Sequence, residues 1–167
     1  MKQLLEIKGI ISVLNTPFTK ENTIDLISLK KNVKIAMKAG IKGFLVPAMA
    51  AEVNKLNAEE RKSIVKTVVD ATTKRVPIIG GASADTQEAR IKYIHELEDV
   101  GCEAVLVSIP FENKDKYKGL IREIAQEVNT FLVIQDWDFH GFGIPVNVIV
   151  DLFEEQIQSS FLLTIIA

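Results

Sequence analysis

The sequence holds a single cysteine, Cys102, in 167 residues. One thiol excludes an intrachain disulfide framework and suits a reducing compartment. No apolar run approaches the ~20 residues of a membrane-spanning helix. The opening MKQLLEIKG has neither the apolar segment nor the small-residue cleavage site of a secretory signal, so a cytoplasmic protein without membrane contact is expected. Basic clusters interleaved with aromatics are missing and the net charge is −2, which removes support for nucleic-acid binding. No Lys or Arg follows Arg122, although acidic residues continue to Glu155. The dinucleotide-binding glycine fingerprint is absent as well, since GGASAD lacks its spacing.

What is present is an alternation. Apolar residues make up 47% and charged residues 25%, a globular balance for one domain with a real core, expected to span residues 1–167. The stretch VPIIGGASADTQEAR shows the repeating unit most clearly. Val76 to Ile79 reads as a short buried strand that Gly80 and Gly81 let the backbone leave, and Asp85 reads as a helix N-cap with Glu88 as its capping-box partner. The same unit recurs along the chain. Gly9 to Asn15 is a strand closed by Pro17, and Asp25 caps a helix ended by Gly40. Phe44 to Val46 is a strand stopped by Pro47, and Asn57 with Glu60 opens the next helix. Ala104 to Ile109, the helix Lys116 to Val128, Phe131 to Ile134, the helix Val146 to Phe153 and Phe161 to Ile166 complete five βα units and a sixth strand. The alternation predicts a parallel sheet with right-handed crossovers, and both an open doubly wound sheet and a (β/α)8 barrel fit it.

GIISVLNTPF, the helix-opening NAEER, IIGGASADTQEA, VSIPF and GIPVNVIVDLFEE resemble, in order and spacing, the first two-thirds of the dihydrodipicolinate synthase and N-acetylneuraminate lyase family. The resemblance implies an incomplete TIM barrel, an α/β fold of about five βα units plus a sixth strand. It implies class I lyase or aldolase chemistry on 2-oxo acids such as pyruvate, and a homo-oligomer. The family's carboxylate-binding hydroxyl pair falls on Met49 and Ala50, neither of which donates a side-chain hydrogen bond. Its relay tyrosine falls on Gln135, its neighbouring-subunit tyrosine near Phe111 and Glu112, and its Schiff-base lysine around Leu163 to Ile165. An amine nucleophile makes the iminium, and nothing at that last position is basic.

Thr16, Met49, Ala50, Glu52, Glu112, Gln135 and Asp136 follow strands and form the expected rim for a 2-oxo acid or sugar acid. Trp137, Asp138 and His140 extend it, but with no second ligand cluster they read as a polar loop, and neither metal nor cofactor is expected. Ser83 and Thr86 read as helix-capping hydroxyls, His95 as a surface residue, and Cys102 as a buried structural thiol. Two readings stay open: a lyase-like family member, or a non-catalytic chain that acts only through association.

Overall fold

The computed structural model describes residues 8–136, 143–156 and 163–166. It divides into two compact units, one of residues 1–81 with 96–103, the other of 82–95 with 104–167.

In the first unit, β1 (Ile11–Val13), β2 (Gly43–Val46) and β3 (Ile78–Gly81) pair in parallel, with Ile11 beside Gly43, Phe44 beside Ile78 and Val46 beside Gly80. Two helices connect them, α1 (Leu26–Lys38) and α2 (Ala58–Thr72). Asp25 caps α1 by accepting the Ser28 N–H at 2.9 Å. Gly40, at φ +87°, takes the left-handed turn just past the helix end that a side chain would resist. The expected capping box on α2 is complete: Asn57 Oδ1 accepts from Glu60 N at 3.0 Å, and Glu60 Oε2 accepts from Asn57 N at 2.8 Å. All four residues of β2 and of β3 are buried, as strands covered on both faces must be. Leu29 and Val33 of α1, Ile64, Val65 and Val68 of α2, and Phe44 and Val46 form the core.

The third strand corrects the sequence reading. It starts two residues later than expected and contains both glycines, which therefore do not lead the chain out of the sheet. Neither has positive φ. Their service is close approach: a Cβ on Gly80 would lie 2.8 Å from Leu97 Cδ2, and one on Gly81 only 1.9 Å from the Pro47 carbonyl oxygen. The end of the next helix closes this unit, where Glu103 clamps β3. Its carboxylate accepts from Ile78 N at 2.9 Å and its backbone N–H donates to Ile78 O at 3.0 Å.

The second unit opens with the loop after β3 and the first turns of α3 (Gln87–Val100). Asp85 is not the N-cap of this helix. Ala89 N donates to Thr86 Oγ1 at 3.2 Å and Arg90 N to Thr86 O at 3.1 Å, so the cap lies one residue later. β4 (Ala104–Val107), β5 (Phe131–Gln135) and β6 (Leu163–Ile166) pair in parallel, with Ala104 beside Phe131, Leu132 beside Leu163 and Gln135 beside Ile166. α4 (Lys114–Glu127), capped by Asn113, starts two residues earlier than expected, and α5 (Val146–Gln156) runs three residues further. An ion-pair ladder joins the two helices: Lys118 lies 2.5 Å from Glu155 and 3.3 Å from Asp151, and Arg122 grips Glu155 with two bonds of 2.9 and 3.0 Å. No helix among the described residues is long and apolar enough to cross a membrane.

Candidate functional site

Parallel α/β folds carry their functional groups on the loops that follow the strands. In the first unit those loops follow β1 and β2. Thr16 is buried after β1, and its Oγ1 donates to Ala51 O at 2.8 Å. A hydroxyl has one proton, so with that proton committed to a backbone carbonyl Thr16 can only accept from a further partner. The loop after β2 makes two short 3-10 turns, Met49–Ala51 and Val53–Lys55, joined at Glu52, which is left-handed at φ 54°. Met49 and Ala50 are exposed, and the Glu52 carboxylate pairs with Lys55 at 2.6 Å.

Arg61, which the sequence reading passed over, holds this loop in shape. Its Nε donates to Leu56 O at 3.2 Å and its Nη2 to Val53 O at 2.8 Å. The signal was its place in NAEER: a basic residue in the first turn of a helix meets the positive end of the helix dipole and needs an outside reason to stand there.

In the second unit, Ser83 does not cap α3. Its Oγ accepts from Ser108 N at 2.9 Å, tying the loop before α3 to the one after β4. Glu112 is exposed, with both carboxylate oxygens 2.7 Å from Lys116 Nζ. Gln135 ends β5 half-buried. Asp136 Oδ1 accepts from Ile144 N at 2.7 Å, and Gly143 allows this because a Cβ there would lie 2.7 Å from the same oxygen. Trp137, Asp138 and His140 lie outside the described residues. His95 is partly exposed and lies 3.3 Å from Glu127.

Tyr117 was also missed. It is 1% exposed on α4, its ring centroid 5.6 Å from that of Phe111, and its hydroxyl has no hydrogen-bond partner among the described residues. Burial first, then the charge of Asp136, pushes that hydroxyl well above the ordinary tyrosine value, so it stays protonated. Helical spacing finds it, since Tyr117 stands four residues before Ile121 on the same apolar face. Among the described residues no three His, Cys, Asp or Glu side chains cluster as a metal site requires.

The sequence profile of the dihydrodipicolinate synthetase family matches residues 6–155. The chain belongs to that family. It is 32% identical over 155 residues to the 4-hydroxy-tetrahydrodipicolinate synthase of Rhizobium meliloti, covering 91% of this chain and 50% of the relative. A crystal structure of a dihydrodipicolinate synthase superimposes with a TM-score of 0.83 at 25% identity, over 89% of this chain and 53% of that one. The synthase from Rhodopseudomonas palustris gives 0.84 at 20% identity, over 95% of this chain and 54% of that one, a likeness of fold alone. The chain thus spans about half the length of the curated relatives it matches. The fold is that of the family's TIM barrel, incomplete, and the open doubly wound alternative is set aside.

Proposed function

We propose that this chain presents the 2-oxo-acid-facing loops of a dihydrodipicolinate-synthase-type lyase without the amine that drives the family's reaction, and that it does not turn over 2-oxo acids by itself. The observation that carries the reading is β6. Class I chemistry needs a lysine to form an iminium with the keto group, and β6 reads Leu163, Thr164, Ile165, Ile166. The loops support the same reading. Met49 and Ala50 offer a carboxylate no side-chain donor, Thr16 has committed its proton to Ala51, and Gln135 is an amide that does not shuttle protons near neutral pH. What Thr16, Met49, Ala50, Glu52, Glu112, Gln135 and Asp136 retain is position after their strands, which suits weak binding of a small 2-oxo acid or sugar acid.

Borohydride reduction in the presence of pyruvate, read by intact mass, tests this. The expected mass is that of the unmodified chain. A reduced pyruvyl adduct on any lysine would overturn the proposal and restore the lyase reading.

A further inference from the structure

Arg90 carries a charge that the fold buries and does not pair. It stands one turn before Ile94 on the covered face of α3 and is 6% exposed. The only hydrogen bond of its guanidinium among the described residues runs from Nη1 to Gln87 Oε1 at 3.3 Å, longer than the about 2.7 to 2.9 Å of a charge-assisted bond. Nε is buried without a partner. The sequence has four arginines, and the other three commit this atom: Arg61 Nε donates to Leu56 O at 3.2 Å, Arg75 Nε to Thr72 O at 3.1 Å, and Arg122 Nε to Glu155 at 3.0 Å, with Nη2 of Arg122 on the same carboxylate at 2.9 Å. Among the described residues, nothing occupies the Nε–Nη2 edge of Arg90.

Its place adds a second positive field. Arg90 is the fourth residue of α3, and its side chain turns back onto Gln87, the first, at the positive end of the helix dipole. The N–H groups of Ala89 and Arg90 are taken by Thr86, whereas those of Gln87 and Glu88 have no acceptor among the described residues. The neighbouring acids do not answer this charge. Asp85 is exposed and acts on Arg90 only through space, Glu88 is exposed, and Glu123 lies 3.2 Å from the Gln87 amide nitrogen. Burial lowers the Arg90 pKa, and Asp85 opposes that with the smaller effect. A buried cation with an open fork at a helix N-terminus combines costs that a bound anion removes.

We infer that Arg90 and the first turn of α3 form a binding site for a small carboxylate, which the Nε–Nη2 edge holds side-on as Arg122 holds Glu155. The long Gln87 contact is the bond that gives way on entry. Asp85 and Glu88, exposed beside the site, disfavour a doubly charged phosphate and so select a ligand of single charge. This inference is independent of the 2-oxo-acid reading, since a pyruvyl adduct would overturn that reading and leave Arg90 as it stands.

Acetate, which has no keto group, tests the site on the full chain. In a nitrogen–proton correlation spectrum of the arginine Nε–Hε groups, titrated with sodium acetate against sodium chloride at equal ionic strength, the Arg90 signal is the one missing from Arg90→Lys. It is expected to shift saturably with acetate and not with chloride. In urea unfolding, acetate at about ten times its dissociation constant is expected to raise the wild-type ratio of folded to unfolded chain about elevenfold. Arg90→Met is expected to be at least as stable as wild type without acetate and to gain nothing from it, while Arg90→Lys, with charge but no fork, gains less than wild type. No saturable shift, an equal shift with chloride, or an Arg90→Met protein that still responds to acetate would overturn the inference. An Arg90→Met protein less stable than an acetate-indifferent wild type would do so in favour of a structural arginine. Saturation by inorganic phosphate at lower concentration than by acetate would overturn the carboxylate assignment in favour of phosphate.

Discussion

Replacing Gly81 by alanine sets a side chain against an obstacle that cannot step aside. The new Cβ would lie 1.9 Å from the Pro47 carbonyl oxygen, whereas carbon and oxygen ordinarily approach no closer than about 3.3 Å. Relief requires β3 and the chain leaving β2 to separate by more than an ångström, and both are buried on every side. Overpacking in a well-filled core typically costs about 1 to 3 kcal/mol, and an obstacle made of backbone belongs at or beyond the top of that range. The entropy that alanine removes from the unfolded chain returns less than about 1 kcal/mol. Gly81→Ala is therefore expected to lose about 3 kcal/mol or more of a domain stability that is usually about 5 to 15 kcal/mol.

Gly80→Ala is the internal control. Its Cβ meets the ends of Leu97 at 2.8 Å and Cys102 at 3.0 Å, groups that can shift, so its loss is expected to be about 1 to 2 kcal/mol. Trimming Leu97 to alanine should relieve the clash, with a coupling of about 1 kcal/mol in a double-mutant cycle. Urea unfolding by circular dichroism reads all of these, with an unchanged m-value as the condition for comparison. A Gly81→Ala protein within 1 kcal/mol of wild type, or a Gly80→Ala protein less stable than it, would refute the close-approach account of this strand.

Asn57→Ala removes the side-chain arm of the capping box, while the backbone N–H at this position can still donate to the Glu60 carboxylate, and it is expected to lower stability by about 1 kcal/mol in the same assay, with Asn57→Asp nearly neutral. Burial first, then Glu103 and Glu98, pushes the Cys102 thiol up to about 12, so the native chain should resist a disulfide reagent at pH 8 and react once urea opens it. Hydrogen bonds from Arg122 and then Lys118 hold Glu155 below its ordinary value, and Lys114 and then Lys118 do the same for Asp151. A lowered folded value means that the ladder's contribution is fully present above the ordinary values of 4.5 and 3.8 and is lost as pH falls through the folded ones. Urea midpoints measured from pH 7 downward should therefore drop more steeply in wild type than in Arg122→Met.

The repeat itself was legible because it is written in local signals. Asp25, Asn57 with Glu60, and Gly40 act within one helical turn, and the structure uses them as the sequence suggests. Gly80 and Gly81 misled for the opposite reason. Adjacent glycines after an apolar run resemble a turn, and only Pro47, thirty-odd residues away, reveals that they make room inside a sheet. Asp85 and Thr86 are both good caps, and the choice between them depends on where the loop places α3. At the site, the missing donors at Met49 and Ala50 could be read directly. The use of Thr16 as a clasp on Ala51, and of Ser83 as an acceptor for Ser108, could not, since each depends on a partner 35 or 25 residues distant. Arg90 is a further case. It occupies an amphipathic helix as any arginine would, yet it is 6% exposed, its Nε has no partner among the described residues, and desolvation lowers its pKa.

The Glu103 clamp on β3 also fixes an order of events during synthesis. The backbone of Ile78 is satisfied by Glu103 on both its N–H and its carbonyl, and the space beside Gly80 is filled by Leu97 and Cys102. A nascent chain that has emerged only as far as Gly81 has all three strands of its first unit but neither the clamp nor the filling. At typical translation rates the wait for Glu103 is about 1 to 4 s, far longer than a strand pair or a helix needs to form. During that interval β3 exposes an unpaired Ile78 and a bare glycine face, and the first part of the molecule to be made is finished only when the beginning of the second has already left the ribosome.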